Sequence, residues 1–120
     1  MAPRRLRSAM AELAATLADA HPDEAARLLE SEDVDDAAAF LAQLPANHTA
    51  RVLRRITPDR SARLLAAVPP ERTPELLRSL EPHRAANYLA RMDQDVRDRC
   101  LAALEPGLST ELQDLAAYPR

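Results

Sequence analysis

Eight carboxylates crowd into the eighteen residues from Asp19 to Asp36: Asp19, Asp23, Glu24, Glu30, Glu32, Asp33, Asp35 and Asp36, opposed by Arg27 alone. Within that stretch Glu30, Glu32, Asp33, Asp35 and Asp36 straddle an expected helix boundary, where several carboxylates can converge on one cation. Such hard oxygen donors suit Mg²⁺, which takes a few carboxylates and keeps several of its waters. These five are the candidate metal ligands, with Mg²⁺ the candidate ion. The same charges at a helix start also make a solvated face that meets the positive end of the helix dipole.

The opposite charge gathers further along, in Arg51, Arg54, Arg55, Arg60, Arg63 and Arg72, against only Asp59 and Glu71. Arg51 and Arg55 stand four apart and share a helix face. Arg51, Arg54, Arg55, Arg60 and Arg63 are therefore candidate partner-binding residues for an acidic surface. The Asp19 to Asp36 segment of a second copy would serve, in a head-to-tail or swapped homodimer. Nucleic acid is a poor fit, because the net charge is −3 and the only aromatics for base stacking are Phe40, Tyr88 and Tyr118.

Catalytic chemistry finds no footing. His21, His48 and His83 fall at the starts of separate segments, and none forms an evident dyad with Cys100. Cys100 sits in an apolar column, as a packed thiol does. With one glycine, Gly107, no phosphate-cradling glycine loop can be written. The expectation is a chain with no catalytic residues. A single cysteine fits a reducing compartment. No apolar run approaches the ~20 residues of a membrane span, and Met1 to Thr16 has no signal-peptide core, so a cytoplasmic location is expected.

What positions these residues is a repeat. Leu29, Leu41, Leu53, Leu65, Leu77, Leu89 and Leu101 are each twelve positions apart. Residues 21–104 divide into seven twelve-residue units, from HPDEAARLLESE to DQDVRDRCLAAL, followed by the imperfect EPGLSTELQDLA. Apolar residues fall at the fifth or sixth, eighth, ninth and twelfth places of each unit, one face of a short helix. Proline at the second place, in Pro22, Pro58, Pro70, Pro82 and Pro106, restarts the helix where a missing N–H costs nothing. Thr57 is a cap candidate, and Asp23, Asp59 and Glu71 favour the positive helix ends.

Hydrophobic residues make up 47% of the 120, mostly Ala and Leu, and aromatics only 2%, which favours helices throughout. About two helical turns do not persist alone in water, so stability must come from stacking. The sixth-place alanines Ala26, Ala38, Ala50, Ala62 and Ala86 would let helices approach. The expected fold is an all-α solenoid of short helices, each unit contacting mainly its neighbours. Residues 1–20 form an expected capping helix, with Leu6, Met10, Leu13 and Leu17 on one face, and residues 21–120 the repeat. In the fifth unit Pro74 replaces the sixth-place alanine, which predicts a shortened or kinked fifth helix.

The register HP-x-x-x-A-x-x-L, the LP, VPP and EP turns, and the closing Leu112-Gln-Asp-Leu-Ala-Ala-Tyr-Pro119 resemble the intracellular N-terminal domain of MgtE-type magnesium transporters, over roughly Ala11 to Pro119. The resemblance implies a right-handed superhelix of short helices, followed in the family by CBS domains and a membrane channel. It implies a regulatory role as well, in which Mg²⁺ held between acidic faces of this domain and CBS domains, in cis or in trans, keeps the pore closed. Where the family's metal-facing carboxylates would align, this chain has Arg51, His83 and Asn87. A more distant similarity, through the His21-Pro22 helix start, is to the armadillo-like domains of FliG flagellar switch proteins, which would imply a docking scaffold without ion sensing.

Overall fold

A computed structural model describes Thr16 and residues 19–117 of the chain. Each unit of the repeat yields one helix: α1 (Pro22–Ser31), α2 (Val34–Ala42), α3 (Ala46–Leu53), α4 (Pro58–Ala67), α5 (Thr73–Ser79), α6 (Pro82–Ala90), α7 (Gln94–Ala102) and α8 (Pro106–Ala117). The described residues contain no strand. The fold is thus the expected all-α helical-repeat solenoid. Thr16, Asp19 and Ala20 are helical, but the rest of the expected capping helix, and the closing Tyr118-Pro119, lie outside the described residues.

The local signals act as their chemistry dictates. Pro22, Pro58 and Pro82 each open a helix at its first position, where no backbone donor is lost. Asp33 caps α2, its carboxylate accepting from the N–H groups of Asp35 at 3.1 Å and Asp36 at 3.4 Å. Thr57 does stand at the N-cap of α4, but its side chain makes no capping bond within its own helix. Pro70 starts nothing. Residues 69–72 form a turn closed by the Arg72 N–H on the Pro69 carbonyl, and α5 begins only at Thr73, leaving seven residues.

All seven leucines of the repeat are buried, none more than 8% exposed. Twelfth-place Leu44, Ile56, Val68, Leu80, Met92 and Leu104 join them, with alanines at the fifth and sixth places beneath. Packing skips a unit, contrary to the expectation of stacking between sequence neighbours. α1 stacks on α3, α3 on α5, α2 on α4, α4 on α6 and, most extensively, α6 on α8. Odd and even helices therefore form two rows, and the true structural period is a pair of units. Buried hydroxyls stitch consecutive units together: Thr49 donates to the Leu41 carbonyl at 3.1 Å and Ser61 to the Leu53 carbonyl at 2.9 Å. The Leu53 carbonyl also accepts from the Tyr88 hydroxyl at 3.3 Å. These bonds add side-chain donors to helix-end carbonyls that already accept from the N–H groups of Leu44 and Ile56 in the closing turns.

The eighth-place column is buried at Val52, Leu64, Leu76, Tyr88, Cys100 and Leu112 but half-exposed at Leu28, which is 48% accessible. Leu53→Ala should therefore destabilise by about 2–5 kcal/mol in denaturant unfolding, as a fully buried leucine does. Leu28→Ala should change stability by less than about 0.5 kcal/mol, although the repeat places both leucines in apolar columns.

Candidate functional site

The two rows bring the starts of α4, α5, α6 and α8 beside the ends of the helices three units earlier, and a set of charged side chains is spent on those junctions. Tenth-place residues Glu30, Arg54 and Arg78 each reach the first place of the third following unit. The Glu30 carboxylate accepts from the Thr57 N–H at 2.6 Å, and from its hydroxyl at 3.4 Å. Arg54 lies 3.8 Å from Glu81, and Arg78 pairs with Glu105 at 2.8 Å. Glu30 thus takes up the N–H of the N-cap residue of α4 from outside the helix. Fourth-place arginines run the other way: Arg60 bonds the carbonyls of Leu29 and Glu32 at the end of α1, and Arg72 bonds that of Leu44, after α2, at 2.6 Å. A guanidinium on helix-end carbonyls opposes the negative pole of the helix.

A second set of pairs joins stacked helices. Arg55 holds Asp23 at 2.8 Å and Arg91 holds Asp59 at 2.5 Å, in both cases an eleventh-place arginine on the third-place aspartate two units earlier. Arg51 reaches Asp19 at 2.8 Å. Arg91 also donates to the Asn87 side chain at 2.8 Å.

Each candidate residue now has a place. Of the arginines expected to bind a partner, Arg51, Arg54 and Arg55 are exposed but engaged with carboxylates of the same chain. Arg60 does not join that face, since its guanidinium is turned inward onto α1. Arg63 is exposed and has no ion-pair partner among the described residues. Of the candidate metal ligands, Glu30 is committed to Thr57 and Asp33 to its own helix start. Glu32, Asp35 and Asp36 are exposed, and their carboxylates make no bond within the described residues. No group of three or more His, Cys, Asp or Glu among the described residues is placed to hold a metal ion. The donor chemistry therefore suits a hard cation, but the five carboxylates do not converge on one.

The twelve-residue frame concealed the tenth-place and fourth-place junctions. A signal for the first was present: Glu30, Arg54 and Arg78 recur at twenty-four residues, as do Thr57, Glu81 and Glu105, while the intervening tenth places are Ala42, Ala66 and Ala90.

The family model of the MgtE intracellular N domain matches residues 20–120. No curated protein matches the chain. No helix among the described residues is long and apolar enough to cross a membrane.

The Arg78 side chain, bonded to Glu105, holds that carboxyl below the usual glutamate range. Its contribution to stability is present above the ordinary glutamate pKa and is lost as pH falls through the depressed one. Arg78→Ala should move the Glu105 midpoint up to the ordinary range in a carboxyl-detected NMR titration. Double-mutant cycles on Arg55 with Asp23 and on Arg91 with Asp59 should give matching couplings, each below about 1 kcal/mol because the pairs are solvent-exposed.

Proposed function

We propose that this chain, which belongs to the family of MgtE intracellular N domains, is a non-enzymatic cytoplasmic regulatory module of a magnesium transporter. In this reading it gates ion flux through Mg²⁺-dependent contact with CBS-type partner domains, in cis or in trans. The observation that carries the reading furthest is the set of carboxylates left over once the scaffold has used its own. Asp19, Asp23, Glu30 and Asp33 are bonded within the chain, while Glu32, Asp35 and Asp36 stand exposed together at the opening of α2.

Three uncommitted carboxylates on one helix start repel a second acidic surface. A hydrated Mg²⁺ between the two relieves that repulsion, since the ion needs only one or two carboxylates from each side and keeps the rest of its shell as water. A rigid scaffold helps, because Asp33 fixes the α2 start and Glu30 ties α1 to α4, so the acidic edge keeps its shape when the ion leaves. The partner then separates by charge, without the module unfolding.

An ion shared with a partner binds each half weakly. In an NMR titration of the chain alone, Mg²⁺ should shift the amides of Glu32, Asp35 and Asp36 selectively, saturating in the millimolar range. Replacing these three by Gln, Asn and Asn should remove the response and leave the helical circular dichroism unchanged. Shifts spread evenly over all acidic residues, without saturation to roughly 50 mM, would contradict a dedicated contact for a hydrated cation of this kind.

A further inference from the structure

The odd row has one gap. α1 stacks on α3 and α3 on α5, but no comparable stack joins α5 to α7. The cause lies in the fifth unit, where Pro74 stands in place of the sixth-place alanine and the first four residues are consumed by a turn, so that α5 is short. α7 contributes to the gap as well. Its fifth and sixth places are Arg97 and Asp98, and only Cys100 and Leu101 of this helix are buried. Between α5, α7 and the connection from α4 a cavity of about 130 Å³ remains, walled by Val68, Pro74 and Val96, with Thr73 and Cys100 lining it and Arg99 beside them.

Two polar residues with little exposure line that cavity, and neither side chain has a hydrogen-bond partner among the described residues. Thr73 is 5% exposed and occupies the fifth place, where Thr49 and Ser61 each donate to a carbonyl eight residues earlier, yet its hydroxyl makes no such bond. Cys100 is 7% exposed, and burial raises its thiol above the ordinary range against the opposing charge of Arg99, so the group stays a neutral S–H at physiological pH. Arg99 spends only its Nε, on the Asp95 carbonyl at 3.4 Å. The lining contains no carboxylate. An unpartnered hydroxyl and an exposed guanidinium thus border an apolar hollow whose lining carries no negative charge to meet them.

We propose that this cavity is a binding site for a small apolar monocarboxylate. The hydrocarbon body lies between Val68, Pro74 and Val96, and the carboxylate accepts from the Thr73 hydroxyl and the Arg99 guanidinium. The hollow is partly open to solvent, and its volume, close to the ~150 Å³ that holds benzene in an enclosed apolar cavity, suits a short branched chain or one ring. The site is remote in sequence from the acidic edge of α2 and stands independently of the magnesium reading. By filling the gap, a ligand would tie α7 to the odd row.

Cys100 is the only cysteine, so its alkylation reports on the cavity directly. Benzoate is the probe, with benzyl alcohol as its uncharged counterpart and iodoacetamide as the labelling reagent. Benzoate should slow alkylation saturably, benzyl alcohol should do so far more weakly, and amide shifts on benzoate addition should centre on Thr73, Val96 and Cys100. Arg99→Gln should weaken benzoate protection about tenfold or more, as loss of a charge-assisted hydrogen bond does. Arg99→Lys should restore part of it, which separates a ligand contact from a folding defect. Alkylation unaffected by benzoate, as for a cavity that holds only water, would overturn the proposal. Equal protection by benzoate and benzyl alcohol, or undiminished protection in Arg99→Gln, would overturn the carboxylate site.

Discussion

Helices of seven to twelve residues are too short to hold themselves in water, and everything else in this molecule follows from how they are made to hold one another. The solution is stacking between alternate units. Small residues at the fifth and sixth places, such as Ala25 and Ala26 or Ala85 and Ala86, lie fully buried and let backbones approach. The ninth-place leucines fill the space between rows. With stacking between alternate units, the ends of α1, α2, α3 and α5 come to rest beside the starts of α4, α5, α6 and α8. Opposite poles of two helix dipoles are then adjacent, and their unbonded carbonyls and N–H groups are within reach of the same side chains.

That junction accounts for part of the charge pattern. Glu30 takes up the N-cap N–H of α4 while Arg60 closes the end of α1, so one contact is satisfied from both sides. All sixteen basic residues are arginine. A planar guanidinium can bond two carbonyls at once, as that of Arg60 does, whereas lysine is a flexible point charge. The acidic opening and the basic middle of the chain, which look in sequence like complementary surfaces for two molecules, neutralise each other within one, through Asp19 with Arg51 and Asp23 with Arg55. Glu32, Asp35, Asp36 and Arg63 stay outside these pairs, as do other exposed charges such as Glu24, Arg27, Asp98 and Glu111.

Much of the fold was legible. The spacing of leucines placed every helix within a few residues, proline marked the starts, and Pro74 foretold the short α5. Cys100 was readable as core from its column. The two-row packing was not readable in the same way, because a twelve-residue frame treats all units alike and the alternation lives in the tenth-place residues. Leu28 shares its column with buried Leu64 but sits at the end of the described array, and column membership carries no information about ends. The candidate site was less legible: sequence proximity grouped five carboxylates that the fold does not converge, and it could not tell that Glu30 and Asp33 were already bonded. Arg60 was misplaced for the same reason, since its partners lie about thirty residues away in sequence.

If stacking between alternate units is what sustains the helices, protection must follow the rows and not the order of the chain. Native-state hydrogen exchange resolved by residue tests this directly. The amides of α7, which lacks a full stack on α5, should open at lower free energy than those of α6 and α8, although it lies between them in sequence. Protection of α7 equal to that of α4 and α6 would contradict the account and return stability to contacts between sequence neighbours.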